Sequence, residues 1–276
     1  MTSSSASTST STAAPHINNA KKVPHDDEYY LEPIIFLVEG HLFSVPRHYF
    51  ASASDIFSTT FSLPPGQGKS QEGSSDASPF VLQGISRADF KGLLRVMYPL
   101  QMPHLGGEVT LPRKDWVAAL KLSTMWSFRN IRQLAIARLS SPTSSSSSTS
   151  TSTSTSASAS ASTDPVEKVL LAKAYKVPEW LLSGYHELVK RSAPLTTAEA
   201  ARLGLETTVQ LFRVREEISS AEATYYNGYI RRREDQNFVE QVKKAFRKEL
   251  KEVEDAHGVY NSLPAVYPAD DSESCK

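Results

Sequence analysis

Gly66-Gln67-Gly68-Lys69-Ser70 ends in the Gly-Lys-Ser of a phosphate-cradling loop. That loop wraps a phosphate in backbone N–H groups and brings a lysine to it. It needs a further glycine five residues before the second of these, a strand leading in and a helix leading out. The required position holds Leu63, and the surroundings are Pro, Gly and Ser with no apolar helix following. The stretch reads as a solvated loop. The histidines are scattered: His41 and His48 are seven residues apart, and His186 and His257 are distant. No His-x-x-x-His pair occurs, and Cys275 is the single cysteine, so no zinc ligand set can be assembled by spacing. A serine hydrolase elbow, Gly-x-Ser-x-Gly, is also missing. Cys275 and the carboxylate pairs Asp26-Asp27 and Asp270-Asp271 lie near the chain ends, where nothing would tune their pKa values. These residues read as a protein that is not an enzyme, with no cofactor and no metal.

One charged stretch stands out. Arg231-Arg232-Arg233, Lys243, Lys244, Arg247, Lys248 and Lys251 share a C-terminal helical region, a pattern that can contact nucleic acid or direct nuclear import. Seven acidic residues between Glu234 and Asp255 interleave with them, which favours a solvated helix face and argues against nucleic acid as a partner. The whole chain has 30 basic and 30 acidic side chains, so no long-range field draws it to polyanions or anionic lipid. The longest apolar run, Ile34 to Val38, is too short to span a bilayer, and no membrane role is expected. The Ser/Thr/Ala-rich start has no apolar core of a secretory signal. With one cysteine and no Asn-x-Ser/Thr sequon, an intracellular, cytoplasmic or nuclear setting is expected.

The elements that must position any site follow from periodicity. Ile34–Val38 and His41–Val45 read as strands joined at Glu39-Gly40, and Pro46 opens helical sequence from Arg47 to Phe61. Phe80-Val81-Leu82 is a third short strand. Ser86 is a good N-cap with Asp89 at the third helical position, and Phe90, Leu93, Leu94 and Met97 recur at helical spacing up to Tyr98-Pro99. Val109-Thr110-Leu111 reads as an edge strand. Helices follow around Trp116–Met125 and Phe128–Leu139. Beyond the low-complexity tract, helices are expected over Val166–Tyr175, Glu179–Arg191, Thr197–Glu206 and Val209–Glu217, and a long one over Tyr229–Ala256. The apolar stripe Phe238, Val242, Ala245, Phe246, Leu250 and Val253 on the last could dock on the helical region or meet a partner.

These elements divide the chain into a disordered N-terminal segment (1–26), an α+β unit (27–139), a Ser/Thr-rich linker (140–163), a helical unit (164–257) and a disordered tail (258–276). The linker is Ser and Thr except for Pro142 and three alanines. It can act as a passive tether, or as a phosphorylated one that stiffens as charge is added.

The order strand, strand, two helices, strand, helix, short strand, helix, helix resembles the BTB/POZ family, in its fungal branch. The resemblance rests on Val38-Glu39-Gly40, Leu42-Phe43-Ser44-Val45-Pro46-Arg47, Ser54-Asp55-Ile56-Phe57, Gly84-Ile85, Asp89-Phe90 and Leu93-Leu94-Arg95-Val96-Met97-Tyr98-Pro99. It implies a BTB/POZ-like fold, a small sheet with a helical cluster, followed by an all-helical extension. The implied function is protein binding: a scaffold or adaptor that forms a homodimer or recruits partner proteins. One alternative is a substrate adaptor on a cullin scaffold of a ubiquitin ligase, with Phe57, Phe61 and Leu63 as the partner interface. Another is a nuclear regulatory protein using the basic C-terminal helix. The implied dimer interface is Tyr29, Tyr30, Leu31 and Ile34, although the three residues before the strand could equally pack on their own domain. Two departures matter. Pro33 and Pro46 stand where many members carry a charged pair, and Phe61-Ser62-Leu63 runs into Pro64-Pro65 where cullin binders carry a glutamate.

Overall fold

The computed structural model describes residues 24–64, 71–99, 111–141, 164–223 and 235–262. The Gly66–Ser70 loop, Val109-Thr110, Arg231–Arg233, the tract 142–163 and Cys275 lie outside the described residues.

The α+β class holds. A small three-stranded sheet is followed by helices that make up most of the described chain. Strands β1 (Pro33–Val38) and β2 (His41–Pro46) pair antiparallel, with Val38 opposite His41. Their two-residue turn needs left-handed backbone at both positions, and Glu39 (φ 44°) and Gly40 (φ 72°) adopt it. The Glu39 carboxylate accepts from Arg87 N at 2.8 Å, which ties the turn to the start of a helix 48 residues further along the chain.

Two short helices, α1 (Arg47–Ala53) and α2 (Asp55–Ser62), carry the chain across to β3 (Phe80–Val81), which lies parallel to β1. Ser54 breaks the pair. Its backbone is extended, its Oγ caps α2 by accepting from Phe57 N, and its hydroxyl donates to Trp126 O at 2.6 Å. Gly73 O accepts from Ile35 N at 2.9 Å, so the loop before β3 supplies a partner along the β1 edge. Helices α3 (Arg87–Met97), α4 (Arg113–Met125) and α5 (Arg129–Ser140) complete this unit. The Ser86 side chain caps α3 as expected, accepting from Asp89 N. Leu111 is not in a strand.

The core of this unit is aromatic. Phe36 on β1, Phe50 on α1, Phe57 on α2, Phe90 on α3 and Phe128 are buried and meet mostly edge-on, with ring centroids about 5 to 6 Å apart. Helices α3 and α4 approach closely because Gly92 leaves room. A Cβ there would lie 2.7 Å from Ala118 Cβ.

The helical unit starts at α6 (Pro165–Tyr175), capped by Asp164, and continues through α7 (Pro178–Lys190), α8 (Thr197–Leu203), α9 (Leu205–Ala223), α10 (Asp235–Ala245) and α11 (Arg247–Ser262). Three expectations need correction. The long C-terminal helix is two helices that turn at Phe246, and the second runs past Gly258 to Ser262, so the first residues assigned to a tail are helical. Its apolar residues Phe238, Val242, Phe246 and Val253 are buried, so this stripe is docked within the chain. Ser140, assigned to the linker, ends α5, and its Oγ accepts from Trp180 Nε1 at 2.7 Å. That bond, with Arg113–Glu167 at 3.3 Å and a continuous apolar cluster, joins the two units face to face.

Candidate interaction surface

A β-strand alternates its side chains between two faces. In β1, Ile34, Phe36 and Val38 point into the aromatic core and are almost fully buried. Ile35 and Leu37 therefore lie on the outer face. Register then builds a row across the sheet: Leu37 sits between Leu42 on β2 and Val81 on β3, and Ile35 lies opposite Ser44. Leu42 is 47% exposed and Val81 51%. A sheet with one solvated face normally turns polar side chains outward. Here that face carries Ile35, Leu37, Leu42 and Val81 beside Ser44. The run Ile34–Val38 is apolar throughout because both faces of β1 are apolar, a pattern suited to a strand covered on both sides. Immediately before β1, Tyr29, Tyr30 and Leu31 are exposed as well. The chain there is held by Asp26, whose Oδ1 accepts from Glu28 N and Tyr29 N, and by the His25 ring stacked 3.6 Å from Tyr30. Exposed apolar surface on a sheet face marks association sites.

The structure divides the sequence-derived interface residues. Tyr29, Tyr30 and Leu31 are exposed, but Ile34 is 2% exposed, because period-two alternation turns it inward against Gly73. Leu63 lies just past α2 and is 62% exposed. Phe57 and Phe61 are buried. They stand one helical turn apart on the inner face of α2, where Phe61 meets Phe57 and Phe80 and is covered by the Arg47 guanidinium at 4.9 Å. Neither can serve as a surface anchor in this fold. Sequence periodicity does not single out Leu42 or Val81, and only the cross-strand register shows that they share a row with Leu37.

Pro33 and Pro46 face one another at the open end of the hairpin. Tyr98 closes over this end, donating to Pro46 O at 3.0 Å, with its ring edge-on to Tyr49. Burial, and then Tyr49, hold the Tyr98 hydroxyl well above its usual pKa. The end is thus filled by rings and imino groups.

The polar clusters are internally matched. Between α3 and α4, Arg95 meets the buried Asp115 at 2.8 Å and Lys121 meets Asp89 at 2.6 Å. In the helical unit, Lys173 Nζ contacts Glu249 at 2.7 Å and Thr207 Oγ1 at 2.8 Å, and Tyr185 donates to Glu249 at 2.8 Å while stacking on Phe246. Burial foremost, and then the Glu249 carboxylate, push the Tyr185 hydroxyl far above its usual pKa. Each group is satisfied by its neighbour, which makes these clusters cement between helices. His41 donates from Nδ1 to Glu39 O and accepts from Arg87 at Nε2, a turn-to-helix tie. Among the described residues, no group of three or more His, Cys, Asp or Glu is placed to hold a metal ion. Among the same residues, no helix is long and apolar enough to cross a membrane.

Fold and surface therefore define a mostly helical α+β chain whose outer sheet face carries exposed apolar side chains among the described residues. No family model matches the chain, and no curated protein matches it.

Proposed function

We propose that this chain is a non-enzymatic protein-interaction module, BTB/POZ-like in its first unit, which self-associates by covering the outer face of its sheet. The apolar row Leu42–Leu37–Val81 carries the reading, and the aromatic residues Tyr29 and Tyr30 beside the start of β1 extend it. The element order supports the BTB/POZ comparison: hairpin, two short helices, a third strand parallel to the first, and three helices. Burying this face in a second copy removes Ile35, Leu37, Leu42 and Val81 from water at roughly 25 cal/mol per Å². Partner recruitment by the same module is the second half of the reading. A cullin scaffold would have to engage Leu63 and its exposed neighbour Ile56, since Phe57 and Phe61 are interior.

The test is the mass of the full chain in solution, with Leu42→Lys and Val81→Lys alongside. Wild type is expected at twice the chain mass at tens of micromolar or below, and each lysine variant at the single mass with unchanged circular dichroism. A wild-type chain that stays monomeric up to about 100 µM, the weak end of specific association, would refute self-association through the sheet. Calorimetry against the N-terminal region of a cullin, with Leu63→Ala as control, decides the adaptor reading separately.

A further inference from the structure

Helix α9 has two apolar faces. Thr207, Thr208, Leu211, Val214 and Ile218 are buried against the helical unit. On the other side Leu205, Val209 and Phe212 recur at i, i+4 and i+7, and are 81%, 38% and 46% exposed. At about 100° per residue these three fall in one line opposite the buried set. A solvent-facing line on a surface helix is ordinarily polar. Here it is two turns of bulky apolar side chains, ended by Glu216. Along one flank of the line stand Glu206 and Arg213, also seven residues apart. Both are exposed, and neither has an ion-pair partner among the described residues.

We infer that this face is a homotypic contact: α9 of a second copy packs antiparallel across a twofold axis that passes beside position 209. Leu205 lies over Phe212 of the second copy, and the two Val209 side chains meet near the axis. The charges select a second copy over an unrelated helix. In an antiparallel helix pair each flank meets the same flank of its partner, and a twofold axis exchanges positions placed symmetrically about it. Glu206 then faces Arg213 of the second copy, and Arg213 faces its Glu206. One sequence thus supplies two opposite-charge pairs, a self-complementarity that a foreign partner would not require. The contact is small, short of the roughly 800 Å² per partner of a stable standard interface, so it is weak alone. Combined with another twofold contact elsewhere on the chain, it links dimers into larger assemblies.

This inference does not rest on the sheet reading, and the experiment separates them. Sedimentation equilibrium of the full chain is run on the Leu42→Lys background, at low salt and up to about 1 mM, the weak end of measurable association. A residual monomer–dimer equilibrium is expected there. Phe212→Glu abolishes it. Glu206→Arg or Arg213→Glu weakens it about tenfold, since each replaces two attractions with two repulsions. Combining Glu206→Arg with Arg213→Glu restores it. Association that ignores Phe212→Glu, or a double variant no tighter than the singles, overturns the contact, as does a strictly monomeric Leu42→Lys chain. If Leu42→Lys changes nothing while the α9 variants behave as described, the sheet reading falls and this one stands.

Discussion

Arg132 is the largest fully buried side chain among the described residues, 2% exposed, and its substitution measures what joins the two units. It projects from α5. Its Nη2 donates to Tyr175 O at 2.8 Å and Lys176 O at 3.1 Å, the last carbonyls of α6. Its Cζ lies 4.8 Å from the Tyr260 ring centre on α11. Nε and Nη1 are buried without a hydrogen-bond partner. Burial lowers its pKa, opposed by Tyr260 and Glu179. One guanidinium thus holds three helices, at the cost of incomplete solvation. Truncation to alanine removes two charge-assisted hydrogen bonds worth about 1.5–3 kcal/mol each, leaves the end of α6 short of donors and opens a side-chain-sized void. Release of an imperfectly solvated charge offsets several kcal/mol of that. The balance is a loss of about 3–4 kcal/mol for Arg132→Ala. Arg132→Met fills most of the volume without a charge and is expected to lose only about 1 kcal/mol. Urea unfolding followed by tryptophan fluorescence and circular dichroism decides it, since Trp116 and Trp126 report on the first unit and Trp180 on the second. In wild type the two probes should coincide, and in Arg132→Ala they should separate. If methionine costs as much as alanine, the charge itself is indispensable and the offset argument is wrong. If alanine costs less than about 1 kcal/mol, Arg132 does not join the units.

Glu199 completes a capping box with Thr196 and pairs with Arg191 at 2.8 Å; Arg191 first, and then the Thr196 backbone N–H, hold its pKa at about 2. A depressed carboxylate pKa contributes stability above the unfolded value that is lost as pH falls toward the folded one. Stability should therefore decline between about pH 5 and pH 2, and Glu199→Gln should show a flatter decline over that window in a pH series of urea midpoints. At Gly184 a Cβ would lie 2.7 Å from Val169 Cγ2 and 3.3 Å from Pro165 O. Gly184→Ala should lower stability by about 1 kcal/mol, the crowding of α7 on α6 outweighing the gain in helix propensity. Combining it with Val169→Ala should cost less than the two single losses summed, by thermal unfolding.

Elements governed by neighbouring residues were legible. Glu39-Gly40 between two apolar runs marks the hairpin turn, and Ser86 marks the start of α3. The C-terminal helix pair was read as one helix because its apolar period continues through Phe246, and nothing local announces the turn there. The line on α9 was hidden for a related reason. Sequence reading ended one helix at Glu206 and began the next at Val209, which split Leu205 from Val209 and Phe212. The actual break is at Gly204, where φ is 86°. The family resemblance points to Phe57 and Phe61 as a partner interface, and the sequence cannot correct it, because apolar residues on a short helix look alike whether they face a core or a partner.

The sequence by itself determined what acts through local backbone chemistry and period: the strands, most helices, their caps, the neutral charge balance and the scatter of reactive side chains. Only the tertiary structure decided which apolar residues are spent in the core and which remain outside. Burial depends on register across strands and on which helix face meets a neighbour. Leu37, Leu42 and Val81 become one surface through strand pairing, and Arg132 reaches α6 and α11 only after the two units pack. Both are contacts between residues far apart in the chain, which no local pattern encodes.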